Sequence, residues 1–235
     1  MQTFSLPKLL QVFFGVAATL TATLFLSVAA AQGSRDVIII DPPQPTPNDG
    51  TIEVLEFFSY GCSHCANLEP PLETWAKKLP TDVKMRRVPS GFNMMGVDEV
   101  PLFYTLEAMG QIDRLHKKIF DALHNERVIL GNKATLLKWL EKNGVAPAQY
   151  ESVEKSFSVQ TKVTRGKQMA GLYKITSTPT IVVNGRIAAV QVGGATGFLT
   201  TIDRYIDEAR QSNAKSAVTR APAASAMKAT APASK

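Results

Sequence analysis

The chain holds two cysteines, and both fall in the stretch EFFSYGCSHCANLEP, Glu56 to Pro70. Cys62 and Cys65 enclose Ser63 and His64, a spacing that admits three chemistries: a structural disulfide, half of a metal site, or a working redox pair. A bridge between them closes a loop of four residues. Chain entropy makes such a loop worth roughly 2 kcal/mol, against nearly 5 for a loop of about a hundred residues. That is a poor staple for a body of this size. A closed zinc site needs four ligands, and no second cysteine-rich knuckle is present. His116 and His124 lie far along a helical segment and are expected on its solvated face.

A redox pair accounts for more of the pattern. IEVLEFF, from Ile52, reads as a strand, and a helix is expected to begin at the cysteines. Cys62 then sits where the free N–H groups and the dipole of a helix favour a thiolate. His64, in the first turn, can donate a proton or carry charge near that sulfur. Both effects lower the pKa of Cys62. Both also stabilise the reduced form, which makes the disulfide a stronger oxidant. Cys65, one turn further, is expected to be the buried resolving thiol.

The elements that must hold this pair follow from the apolar pattern. Ile52–Phe58 is β-branched and aromatic with almost no polar interruption, as in an interior strand. Pro70 and Pro71 fall within the following helix, and a kink is expected near Asn67–Pro70. DVKMRRVP (82–89) reads as a second strand, and strand–helix–strand at these lengths suggests a parallel crossover. From Val97 to about Tyr173 apolar residues recur every three or four positions, with a join near Gly110–Asp113. Asn143–Gly144 ends one helix, Pro147 opens the next, and a longer one runs from about Gln160 to Leu172. TPTIVVNGRIAAVQVGG restores strand texture, with Asn184–Gly185 as a hairpin turn, and a last helix starts near Thr196. The pattern thus predicts an α/β fold: a small mixed sheet with a helical subdomain inserted into it.

The ends of the chain read differently. Lys8, an apolar run from Leu9 to Val28 and three alanines at 29–31 make residues 1–31 a secretory signal. Cleavage is expected after Ala31 or Ala30, and an uncut membrane anchor is the alternative. Residues 32–50, with Pro42, Pro43, Pro45 and Pro47, read as an extended arm outside the core. Residues 212–235 hold too little apolar bulk to fold and are expected to form a disordered basic tail. Of the formal charge of +6, five charges belong to Lys8, Lys215, Arg220, Lys228 and Lys235, which leaves residues 32–211 at about +1. The body therefore has no nucleic-acid footprint. VGGATG before the last helix fits neither phosphate-loop pattern and reads as a turn with a Thr196 cap. Met94–Met95 could line a substrate groove, although packing beneath a loop is the plainer reading.

EFFSYGCSHC resembles the active-site segment of the DsbA family, bacterial periplasmic thiol:disulfide oxidoreductases whose usual centre is Cys-Pro-His-Cys. The resemblance spans about residues 50–210 and includes ITSTPTIVVNGR (175–186), similar to the family's second active-site segment. It implies a thioredoxin-like fold, divided here into 51–96 with the C-x-x-C, the insertion 97–174, and 175–211. It also implies that Pro179 is a cis-proline facing the disulfide and that Thr178 packs beside Cys62 and offers backbone groups to substrate. Glu56 matches an acidic position that tunes the thiols. Ser63 replaces the usual proline, which bears on oxidising strength rather than on the reaction.

The expected activity is a dithiol oxidase that donates the Cys62–Cys65 disulfide to reduced exported polypeptides. The resemblance implies no bound cofactor and reoxidation by a DsbB-like membrane quinone reductase. A monomer is expected. The rivals are a reductase or isomerase on the same fold, or a peptide- or metal-binding module with incidental cysteines. Isomerases of this class usually carry a dimerisation domain ahead of the C-x-x-C, and only thirty residues separate Gln32 from Cys62.

Overall fold

The structure is a computed structural model that describes residues 36–47 and 49–228, with side chains described to residue 215. The expected export signal and cleavage site, residues 1–31, lie outside the described residues, as does the end of the tail from 229. No helix among the described residues is long and apolar enough to cross a membrane.

Five strands form one mixed sheet: β1 (Val37–Ile39), β2 (Ile52–Phe58), β3 (Val83–Pro89), β4 (Thr180–Val183) and β5 (Ile187–Val190). Their order is β1-β5-β4-β2-β3. β3 runs parallel to β2, and the other neighbours are antiparallel. Among the described residues there are seven α-helices. α1 (Ser63–Ala76) makes the β2–β3 crossover. α2 (Glu99–Ala108), α3 (Ile112–His124), α4 (Lys133–Lys142), α5 (Pro147–Glu154) and α6 (Phe157–Leu172) lie between β3 and β4, and α7 (Ala195–Lys228) closes the chain. This is the expected thioredoxin-like arrangement with a helical insertion.

All seven residues of β2 are buried, because both faces of the sheet are covered. Ile52 and Val54 pack with Leu68 and Leu72 of α1 and with Phe198, Ile202 and Ile206 of α7. Leu55 and Phe57 point the other way, against Met169 and Ala170 of α6. Phe58, Tyr60 and the two cysteines join a third cluster built from the insertion, with Leu106, Leu115, Ile119 and Leu140. The cysteine pair therefore lies at the seam between the sheet and the insertion.

Four expectations about elements change. The first part of the proline-rich arm is not outside the core: Val37–Ile39 pairs with β5, and Ile40 is buried against Phe57 and Val182. The β-branched run DVIII carries that strand ahead of the prolines. The tail does not lose structure at 212, since α7 continues to Lys228. Its alanine-rich composition favours helix. α6 starts at Phe157 rather than near Gln160, capped by the Ser156 side chain, which accepts from the N–H of Val159. α7 starts at Ala195, so Thr196 lies within its first turn rather than capping it.

The hairpin reading holds, whereas the kink expected near Asn67–Pro70 does not divide its helix. Asn184 and Gly185 take positive φ of 49° and 66° in the β4–β5 hairpin. Gly185 is required there twice over, because a Cβ at this position would stand 2.2 Å from the Gln44 carbonyl oxygen of the arm. α1 runs through Pro70 and Pro71 as one helix, Ser63–Ala76.

Candidate active site

Cys62 is the N-cap of α1, with extended backbone (φ −89°, ψ 116°), so its sulfur stands at the free end of the helix. The turn before it is closed by the Cys62 N–H donating to Ser59 O at 3.0 Å. Phe57 of β2 pairs with Thr180 of β4, which brings the residues beyond β2 and those before β4 to the same end of the sheet. Thr178 and Pro179 thereby meet Cys62: the thiol donates to Thr178 O at 3.3 Å, across 116 positions of sequence. The Thr178–Pro179 bond is cis, and Pro179 is buried.

Cys62 and Cys65 are both buried free thiols. The Cys62 thiol is held down at about 5. The main cause is the Cys65 thiol donating to the Cys62 sulfur. The Thr178 side chain and the N–H groups of Cys65 and His64 add to it, against the opposing effect of burial. Cys65 is pushed well up by that same hydrogen bond to Cys62, by burial and by the charge of Cys62. One cysteine is thus an anion near neutrality and the other a thiol, the division of labour that disulfide exchange requires.

His64 and Ser63 are both exposed on the first turn. His64 bears on Cys62 through its backbone N–H, a contribution any non-proline residue at that position would make.

Beneath α1 lies a buried charged cluster that sequence reasoning found only in part. Glu56 is buried on β2, opposite Arg87 of β3 in the parallel ladder. Arg87 Nε stands 3.3 Å from Glu56 Oε2, and Nη2 donates to Glu69 Oε1 of α1 at 2.6 Å. Burial pushes the Glu56 carboxyl up to about 8 despite the guanidinium. Glu69 Oε2 in turn stands 3.4 Å from His116 Nε2. The spacing Cys65–Glu69, four residues on one helix, was the available signal for Glu69. For Arg87 it was the register opposite Glu56.

The histidines of α3 overturn the expectation of a solvated face. His116 is 3 % exposed, ringed by Phe58, Phe103 and Phe120, with Nδ1 2.9 Å from the Tyr60 hydroxyl. Burial holds its pKa down. A neutral ring with its proton on Nε2 accepts from Tyr60 and faces Glu69. His124 is half-buried and its Nε2 lies 2.8 Å from Tyr60 O. Leu115, Ile119 and Leu123 mark the buried stripe of α3, and both histidines border it, His116 following Leu115 and His124 following Leu123. The methionines reverse as well: Met94 and Met95 are 41 % and 56 % exposed rather than tucked beneath a loop.

A family model for the DSBA-like thioredoxin domain matches residues 98–203. The thiol:disulfide interchange protein DsbA of Bordetella parapertussis is 41 % identical over 198 residues, covering 83 % of this chain and 94 % of its own. The chain belongs to the DsbA family. Among solved structures, DsbA of Pseudomonas aeruginosa is similar with a TM-score of 0.69 at 32 % identity, covering 75 % of this chain and 93 % of that one. DsbA of Xylella fastidiosa gives 0.68 at 27 %, covering 75 % and 96 %. Within this DsbA-family chain the residues quoted for the resemblance, Cys62, Cys65, Thr178 and Pro179, are gathered at one point. Glu56 lies in the charged cluster beneath α1, and Ser63 and the His64 ring face solvent.

Proposed function

We propose that this DsbA-family protein is a dithiol oxidase, with Cys62 as the sulfur attacked by substrate and Cys65 as the resolving thiol. It is a thiol:disulfide oxidoreductase that acts on reduced proteins by thiol–disulfide exchange. In the oxidised enzyme a substrate thiolate attacks the Cys62 sulfur, the Cys62–Cys65 bond breaks, and Cys65 departs as a thiolate that takes up a proton. Glu56, still protonated near neutrality, is the nearby buried acid suited to supply it. A second substrate thiolate then attacks the substrate sulfur of the mixed disulfide, and Cys62 departs. Two electrons have passed from the substrate dithiol to the enzyme. Cys65 can reverse the capture when no second thiol arrives.

One observation carries the reading: the Cys62 thiol is held at about 5 while Cys65 is pushed up. A depressed Cys62 makes it the better leaving group in the mixed disulfide and stabilises the reduced pair, so the disulfide is strongly oxidising. A reductase needs the opposite bias. Met94 and Met95 add apolar footing for an unfolded chain on the loop that abuts Gly61, and Val192 adds more beside Gln191, whose N–H bonds Pro179 O. In this reading residues 1–31 are an export signal, and the enzyme works in the periplasm as a monomer that passes its electrons to a DsbB-like membrane quinone reductase.

The test is equilibration of the Cys62–Cys65 pair with glutathione, read by thiol alkylation, beside the variant Cys62→Ser. An oxidase stays reduced in mildly reducing buffer, and the variant loses all turnover. A disulfide that survives until strong reductant is added makes the protein a reductase, and turnover by the variant removes Cys62 from the reaction.

A further inference from the structure

Tyr60 stands two residues before Cys62 and is wholly buried. Its three polar groups are each held by a different side chain of the helical insertion. The N–H donates to Glu99 Oε2 at 3.0 Å, the carbonyl faces His124 Nε2 at 2.8 Å, and the hydroxyl meets His116 Nδ1 at 2.9 Å. Glu99, the first residue of α2, is itself 0 % exposed. The same Oε2 accepts from the Ser59 hydroxyl at 2.6 Å. Oε1 accepts from the Ser90 hydroxyl at 2.9 Å and from the N–H groups of Gly91 and Phe92 at 2.9 and 3.2 Å. Five donors converge on one buried carboxyl, where they oppose the burial that pushes its pKa up.

We infer that Glu99 and His124 are positioning residues of the redox centre, acting through the Tyr60 backbone to fix where the Cys62 sulfur points. The inference rests on the reading of Cys62 as the attacked sulfur. The N–H of Tyr60 belongs to the peptide before it and the carbonyl to the peptide after it. Holding both planes fixes φ and ψ at Tyr60 and hence the direction in which the chain enters Gly61. Gly61 runs directly against the loop that carries Met94, since a Cβ there would come within 2.5 Å of the Met94 carbonyl. The loop bearing Met94 is fastened by the same Glu99 through Ser90, Gly91 and Phe92. From Gly61 the next residue is Cys62, whose sulfur must meet the helix N–H groups on one side and Thr178 on the other. The insertion therefore aims the sulfur from behind, through the Tyr60 backbone.

The test uses the full chain and three variants. His124→Leu removes the donor to Tyr60 O, whereas His124→Gln keeps an N–H donor there. Glu99→Gln turns an amide NH2 toward backbone or hydroxyl donors on one side. The Cys62 thiolate is titrated by its absorbance at 240 nm, the disulfide is equilibrated with glutathione, and the thermal midpoint is recorded. His124→Leu is expected to raise the thiolate midpoint by about half a pH unit or more, which corresponds to a shift of about three-fold toward the disulfide. His124→Gln is expected to restore both, and Glu99→Gln to move both in the direction of His124→Leu. A lower melting point with unchanged titration and equilibrium in His124→Leu, or no restoration by His124→Gln, overturns the inference. A wild-type protein with no thiolate below neutral pH removes the reading of Cys62 itself, and the inference goes with it.

Discussion

Glu56 of β2 and Arg87 of β3 are partners in the parallel ladder, and Arg87 Nε stands 3.3 Å from Glu56 Oε2 beneath the active-site helix. The guanidinium is shared, since its other arm holds Glu69. A shared cation in a buried site compensates two carboxylates incompletely, and burial wins at Glu56.

The pH dependence of stability follows from that balance. The Glu56 carboxyl is raised from 4.5 to about 8 in the folded protein. Its contribution to stability is fully present below pH 4.5 and is lost as pH rises through 8. Glu56→Gln removes the titration. In denaturant unfolding of the oxidised protein, the variant should gain on wild type by roughly 3–4 kcal/mol between pH 5 and 8.5. Parallel pH profiles for the two proteins would show that Glu56 ionises normally.

Cys62 has the opposite sign and acts only in the reduced protein. Its thiol is lowered from 9.0 to about 5, so the stabilisation is complete above pH 9 and is lost as pH falls through 5. Each pH unit between those limits is worth about 1.4 kcal/mol to the reduced form. Unfolding of reduced and oxidised protein side by side should show the reduced form gaining roughly 2–3 kcal/mol on the oxidised form between pH 5 and 7. No change in the gap over that range would contradict the lowered thiol.

At the end of the sheet away from Cys62, Gly185→Ala places a Cβ at positive φ and against the Gln44 carbonyl. The variant should lose about 1–3 kcal/mol, measured by chemical denaturation, with the Cys62 titration unchanged. A shift in that titration would mean that the arm reaches the redox centre.

Much of this molecule was readable from its residues. The buried strand before Cys62, the parallel crossover, the Asn184–Gly185 hairpin and the helical insertion each follow from local periodicity and turn chemistry. The pair Cys62–Cys65 and its partner segment at Thr178–Pro179 followed from motif and resemblance. The side chains around the pair were harder to see. Glu69, Arg87, Glu99, His116 and His124 are charged or polar residues scattered over α1, β3, α2 and α3, and polarity alone places such residues at the surface. Their burial is decided by packing between elements. His116 illustrates the point: its helix shows a clear apolar stripe, and the histidine borders it, yet only the ring of Phe58, Phe103 and Phe120 closes over it. Ile40 was hidden for a different reason, because four prolines after it made the whole segment look like an arm.

The 116 positions that separate Cys62 from Thr178 also order events in time. A chain made from its N-terminus yields Cys62 and Cys65 first, and the whole insertion must follow before Thr178 exists to meet them. Until then nothing holds the turn at Tyr60 either, because Glu99, His116 and His124 belong to the same later stretch. The half-finished chain therefore holds the cysteine pair and its local helix N–H groups, and the site is complete only when the insertion and Thr178 have been added.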